Sequence, residues 1–331
     1  MSAASAFGGV YLRSYLAPFA DWLEQPDVTD ILVNRPGELW VERQGGGMER
    51  IEAPLLTAQT LSRLAQQIAS LGHQGLSREH PLLSASLPDG ARVQVVVPPA
   101  TRGDIAMAIR RHVVSDLTLD DYRDSGAFEG VAGARINGPS EEDLALQALL
   151  LSGDIAGLLR RAVLARKTIV LSGGTSSGKT TLLNALLKEI PRHERLITIE
   201  DAAEVRLEHE NAIGLIAARG VTGEAQVTAE DLLQACLRLR PDRILLGELR
   251  GREAFSFLRA VNTGHPGSIT TVHADSPGGA LDQIALMTLQ AGLNIGWSEV
   301  RAYVGQVVDI VVQLGRRDGR RRVAEVLINS R

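Results

Sequence analysis

Gly173, Gly174, Thr175, Ser176, Ser177, Gly178, Lys179 and Thr180 stand in the order G-x-x-x-x-G-K-[ST], with Thr181 directly after. That spacing suits one chemistry. Glycines at the fixed positions let backbone N–H groups turn inward around phosphate oxygens, the lysine meets the β and γ phosphates, and the last hydroxyl ligates magnesium. Further along, residues 243–248 form an apolar run that ends on Glu248, 68 positions beyond Thr180. A carboxylate closing such a strand faces the crevice where open α/β sheets bind ligands. Glu248 is therefore expected to hold the magnesium shell or to polarise an attacking water.

Two more sets of titratable residues flank this pair. Glu200 and Asp201 end the run 196–200, and Glu204 follows. Clustered carboxylates repel one another unless a metal, a base or a proton resolves them, so this cluster points to a nucleotide site. His265 and His273 bracket residues 266–272. Neither has a partner at metal-ligand spacing, which argues against zinc.

These residues need strands that end together and a helix that starts at the phosphate. Residues 168–172, 179–190 and 196–200 read as strand, helix and strand, preceded by helices over 141–151 and 154–165. Thr228 with Asp231 three residues on caps a helix over 229–240, and the strand 243–246 follows. Alternating units of this kind imply a parallel sheet covered by helices. Ahead of them, strands are expected over 30–34, 38–43, 92–97 and 105–110, with a helix over 57–71 stopped by Gly72. Residues 126–139 lose periodicity and carry Gly126, Gly130, Gly133, Gly138 and Pro139. This is linker composition, dividing a smaller α/β domain (1–125) from an ATPase domain (140–331).

Composition narrows the function classes. At 331 residues the chain can hold two cores, and 44% apolar with 22% charged residues is ordinary for a globular protein. No stretch approaches the roughly 18 apolar residues of a membrane span, and residues 1–10 lack the marks of a secretory signal, so a cytoplasmic location is expected. Residues 11–23 read either as an amphipathic surface helix or as a helix docked within the first domain. One cysteine, Cys236 in an apolar setting, excludes a disulfide framework. The net charge is −4; residues 1–138 hold 12 basic and 16 acidic residues against 23 and 23 in the remainder, so neither part is a generic polyanion binder. Arg316, Arg317, Arg320, Arg321 and Arg322 flank Asp318 and Gly319, which reads as a solvated hairpin.

Taken together, the P-loop, the acidic box ITIEDAAE (197–204), LGELR (246–250) and GHPGSITTVHA (264–274) resemble the secretion ATPase superfamily. ILVNRPGELW (31–40), RVQVVVPP (92–99) and Ile109, Arg110 and Arg111 make the chain most similar to its type IV branch, the VirB-eleven-like ATPases. The resemblance implies an α/β architecture: an N-terminal domain with a PAS-like sheet and a RecA-like P-loop domain, in a double-layered hexameric ring. It also implies ATP held between the domains with Mg2+. Glu200, Asp201, Glu204 and Glu248 would then position metal and water, with Thr180, Glu200, Asp201 and Glu248 as magnesium ligands. His273 would sense the γ phosphate, and His265, Arg92 and Arg110 would reach the nucleotide. Implied partners are other ATPases and inner-membrane components of the secretion system, with a secreted protein or nucleoprotein substrate. The implied place is the cytoplasmic face of the inner membrane.

Two other classes share the P-loop and parallel sheet. One is a RecA-like nucleic-acid motor, against which stand 4% aromatic residues and the lack of a basic stripe. The other is a nucleotide-switched scaffold with little turnover, which an ATP turnover measurement separates from a motor.

Overall fold

The computed structural model of the protein describes residues 10–112, 118–131, 138–218, 224–292 and 294–329. The first domain opens with α1 (Val10–Leu16), a 3-10 turn and α2 (Ala20–Leu23). Leu12, Leu16, Phe19 and Leu23 are buried in the domain's own core, so the segment 11–23 is a docked helix whose apolar face is occupied. Among the described residues no helix is long and apolar enough to cross a membrane. Six strands follow: β1 (Val28–Val33), β2 (Gly37–Arg43), β3 (Met48–Ala53), β4 (Leu82–Ser86), β5 (Arg92–Val96) and β6 (Ala106–Arg110). They pair antiparallel in the order β3-β2-β1-β6-β5-β4. Between β3 and β4 runs α3 (Ala58–Leu71), where Thr57 Oγ1 accepts the Thr60 N–H at 3.1 Å and starts the helix. Its stripe of Leu61, Leu64, Ala65 and Ile68 is buried against the sheet.

α4 (Leu119–Asp124) lies between the domains, and of the expected linker 126–139, residues 132–137 fall outside the described residues. α5 (Glu141–Ser152) and α6 (Ile155–Leu164) lead into β7 (Ile169–Ser172), α7 (Lys179–Leu187), β8 (Leu196–Glu200), β9 (Ala212–Ile216), α8 (Ala229–Cys236) and β10 (Arg243–Leu246). The chain continues through α9 (Glu253–Asn262), β11 (Ile269–Val272), α10 (Pro277–Leu289), α11 (Trp297–Val307), β12 (Ile310–Arg317) and β13 (Arg320–Ile328). The sheet order is β13-β12-β7-β11-β10-β8-β9, parallel except for the β12–β13 hairpin. Both faces are apolar, as a parallel sheet requires: Ile169 and Leu171 of β7 join the core under α6 and α7, while Val170 joins the opposite one with α8–α11. α8 ends four residues before the expected boundary, because Leu237 to Arg240 turn toward the first domain and Arg240 adopts φ +60°.

The two domains share a core. In β1, β2 and β6, alternate residues Ile31, Leu39 and Met107 face α3, while Leu32, Trp40, Ala106 and Ala108 pack with Ile213, Leu215 and Val227 of the second domain. At the centre of this joint the fully buried Arg195 guanidinium donates from Nε to Leu239 O at 2.9 Å and from Nη1 to Asn34 Oδ1 at 2.7 Å and to Asn211 Oδ1.

Candidate nucleotide site

The loop 173–178 turns from β7 into α7 at the C-terminal edge of the sheet, where a cavity of about 530 Å³ opens. Gly173 sits at φ +154°, and a Cβ there would meet Leu314 O and Ser177 Oγ at 2.6 Å, so only glycine fits. The first-turn amides of α7 have no carbonyl one turn back, which leaves them pointing at the cavity with the positive end of the helix. Ser177 Oγ is buried there without a hydrogen-bond partner. Lys179 Nζ folds back on Gly173 O at 2.6 Å and Gly174 O at 3.3 Å. Partial burial lowers its pKa, with nearby Glu248 opposing that effect.

Strand ends bring the remaining groups to the same cavity. From β10, Glu248 places Oε1 2.7 Å from His273 Nε2, and His273 Nδ1 lies 3.5 Å from Lys179 Nζ. This fits an imidazole protonated on Nε2, donating to Glu248 and accepting from Lys179. Arg250 donates to Glu248 Oε2 from Nε at 2.9 Å and Nη2 at 2.6 Å, and from Nη1 to Asp201 Oδ2 at 2.8 Å. Hydrogen bonding to Glu248 is the largest cause of the raised Arg250 pKa. Thr180 Oγ1 donates to Glu204 Oε2 at 3.2 Å. Thr175, Ser176, Gly178, Thr181 and Arg321 also line the cavity. The hairpin at Asp318 and Gly319 forms as expected, but it is not wholly given to solvent, because Arg321 of β13 leans over the P-loop.

Within one chain, Glu200, His265 and the pair Arg92 and Arg110 make contacts other than those expected. Glu200 touches the cavity, yet both its oxygens are engaged: Oε1 accepts the N–H groups of Glu204 at 2.9 Å and Val205 at 2.8 Å, and Oε2 pairs with Arg102. Glu204, not Glu200, therefore stands beside the Thr180 hydroxyl. His265 lies off the cavity, with Nδ1 3.0 Å from Pro241 O, where burial lowers its pKa. Arg92 and Arg110 are cross-strand neighbours on β5 and β6 that line a second cavity of about 430 Å³ together with Arg238. Arg110 is held there by Asp30 at 2.8 Å, so within one chain neither arginine meets the P-loop. The guanidinium from the first domain that does reach the acidic box is that of Arg102, in the loop between β5 and β6. Sequence reading gave it no role, since one arginine among 32 in a polar loop carries no periodic or spacing signal.

The family described as Type II/IV secretion system protein matches residues 15–317. The chain belongs to that family. Over 322 residues it is 42% identical to the type IV secretion system protein VirB11 of Brucella suis, covering 94% of this chain and 88% of that one. It is 43% identical over 321 residues to the type IV secretion system protein PtlH of Bordetella pertussis, covering 94% and 93%. The crystal structure of the VirB11 ATPase from the Brucella suis type IV secretion system in complex with sulphate superposes with a TM-score of 0.89 at 39% identity, covering 96% of this chain and 94% of that one. The resemblance to the type IV branch of the secretion ATPases therefore stands.

The residues of this secretion ATPase fit the phosphates of a nucleotide. Glycine 173, the orphaned Ser177 hydroxyl, Lys179 and the α7 N-terminus form a cradle for phosphate oxygens. Among the described residues no group of three or more His, Cys, Asp or Glu side chains could hold a metal ion by itself.

Proposed function

We propose that this chain is the ATP-hydrolysing motor of a type IV secretion system, working as a homohexameric ring that drives substrate translocation or pilus assembly. The observation that carries the reading is the convergence of Lys179, Thr180, Glu204, Glu248 and His273 on one cavity, in a chain of this family. Thr180, with Glu204 hydrogen-bonded to it and Asp201 nearby, would hold magnesium, which would supply positive charge to offset that of the phosphates. Lys179 leaves the Gly173 and Gly174 carbonyls for the β and γ phosphates. Glu248 accepts from the attacking water once one of its oxygens is released by His273 or Arg250, and His273, midway between Lys179 and Glu248, reports the γ phosphate to both. Arg321 adds positive charge on the open side.

Partners in this reading are other ATPases and inner-membrane components of the secretion system, with the ring at the cytoplasmic face of that membrane and a protein or nucleoprotein as cargo. The test is phosphate release by the full chain with ATP, with and without Mg2+, alongside its mass by sedimentation. Magnesium-dependent turnover and a six-copy species support the motor; nucleotide binding with no turnover, alone or with secretion-system membranes, would leave only a nucleotide-switched scaffold.

A further inference from the structure

The acidic box is held in shape by a residue of the other domain. Residues 100–102 run antiparallel to the edge strand β9: Ile216 donates to Ala100 O at 2.9 Å, Arg102 donates from its backbone to Gly214 O at 2.9 Å, and Thr101 pairs with Leu215. From there the Arg102 side chain crosses Gly214. A Cβ on Gly214 would stand 2.4 Å from Arg102 Cδ and 2.8 Å from Nε, so the missing side chain is the notch through which the arginine passes. Its guanidinium then meets the acidic box twice, by Nη1 on Val205 O at 2.7 Å and by Nη2 on Glu200. The pair is mostly enclosed, at 22% and 4% side-chain exposure, which separates it from a screened surface ion pair.

Glu200 passes this hold onward. Its other oxygen accepts the N–H groups of Glu204 and Val205, and these bonds fix the turn that puts Glu204 Oε2 3.2 Å from Thr180 Oγ1. Asn184 of α7 grips the same turn, through Glu204 O at 3.5 Å and the Arg206 N–H at 2.7 Å. Docking of the domains does not need Arg102, because the shared apolar face, Arg195 with Asn34, and Arg240 with Glu42 already join them.

We infer that Arg102 is a positioning residue for ATP hydrolysis: lodged over Gly214, it acts through Glu200 to hold Glu204 at the Thr180 hydroxyl, so the first domain completes the metal side of the nucleotide site. This rests on the ATPase reading. The P-loop itself, built on β7 and α7, does not depend on Arg102, and nucleotide held by phosphate contacts alone should bind without it.

The test uses the full chain as Arg102→Ala, Arg102→Lys and Gly214→Ala. In nucleotide-free protein, hydrogen exchange of the Glu204 and Val205 amides should quicken about tenfold or more in Arg102→Ala, the loss of one or two charge-assisted hydrogen bonds. Gly214→Ala keeps the arginine but fills its notch and should give the same change in weaker form; Arg102→Lys, which cannot bridge Glu200 and Val205 O together, should fall between. In turnover assays the Mg2+ concentration for half-maximal rate should rise about tenfold in Arg102→Ala, while ADP binding in the absence of metal stays at the wild-type value. Unchanged exchange at these amides in both Arg102→Ala and Gly214→Ala overturns the proposal, as does a parallel loss of metal-free ADP binding, which would mark a purely structural tie. Should Arg102→Ala not fold, Gly214→Ala and Arg102→Lys decide alone. A wild-type chain that does not hydrolyse ATP removes the ATPase reading but leaves the exchange measurement to decide whether Arg102 orders the loop.

Discussion

Glu248→Gln separates the chemistry of the site from its ability to bind. Glu248 accepts from His273 Nε2 on one oxygen and from Arg250 Nε and Nη2 on the other, with 18% side-chain exposure. Glutamine keeps the volume, but its amide nitrogen cannot accept, so one of these two donors loses its partner. Arg250 is 58% exposed and His273 49%, so water takes over and the cost to folding is about 0.5–1 kcal/mol. Loss of a positioned proton acceptor lowers turnover by about 10² to 10⁴, or roughly 3–5 kcal/mol at 1.36 kcal/mol per decade. The assay is phosphate release at saturating ATP, paired with titration of a fluorescent ADP and a thermal melt. The expected variant binds ADP as the wild type does and melts within a few degrees of it. Turnover within about threefold of wild type would remove Glu248 from the chemistry, and loss of ADP binding would recast it as a structural or metal-holding group.

Lys179→Ala should abolish hydrolysis with a melt close to wild type, since its ammonium bonds only loop carbonyls and His273; near-normal phosphate release would refute the P-loop assignment. Glu194→Gln should destabilise the chain by about 3–5 kcal/mol, because it removes the negative charge that pairs with the fully buried Arg243, at 2.7 and 2.8 Å, at the start of β10. Denaturant melts giving under 1 kcal/mol would show that water enters there. Asp143, 9% exposed and 2.6 Å from Lys167, has its pKa pulled in opposite directions: burial raises it, while the Lys167 and Ser140 hydrogen bonds together prevail and lower it. Its stabilising contribution is therefore complete above the ordinary carboxylate range and fades as pH falls through the depressed value. Lys167→Met should cost about 3 kcal/mol at neutral pH, and the gap in melting temperature from wild type should narrow on acidification; a gap independent of pH would refute the pairing.

The sequence reached furthest where a motif is local. The P-loop, the strands leading to Glu200 and Glu248, the helix over 57–71 and the cap at Thr228 all depend on residues within one turn or strand, and each lies close to where local pattern placed it. What escaped is non-local. β9 has Gly214 in its middle and no alternation, and the residue that crosses Gly214, Arg102, lies more than 100 residues earlier. Arg92 and Arg110 lie on strands as expected and pair across β5 and β6, but the face they occupy turns toward Arg238 and away from Lys179, and only the packing of two domains decides that. The carboxylates of the acidic box were legible as a cluster, whereas their division of labour was not. Glu200 and Glu204 differ in role because one accepts backbone N–H groups and the other faces a hydroxyl.

The joint between the domains bears on where motion can arise. A glycine-rich linker over 126–139 would let ATP close the first domain onto its own P-loop, yet opening or sliding this joint is expensive. Arg195 is wholly buried, burial lowers its pKa to about 10, and Asn34 of the first domain is one of its few acceptors. Separation would also expose Leu32, Trp40 and Val96, each worth about 1.5–3 kcal/mol of burial. By contrast, among the described residues of the connecting segment Leu119 is 78% and Phe128 50% exposed. In the proposed ring, motion driven by hydrolysis would then leave each docked pair of domains intact and be taken up between copies of the chain. In such a scheme the Arg102 contact is made once, on folding, and remains in place through the cycle. Arg250 and His273 are the groups that change partners, because theirs are the bonds to Glu248 that water must replace.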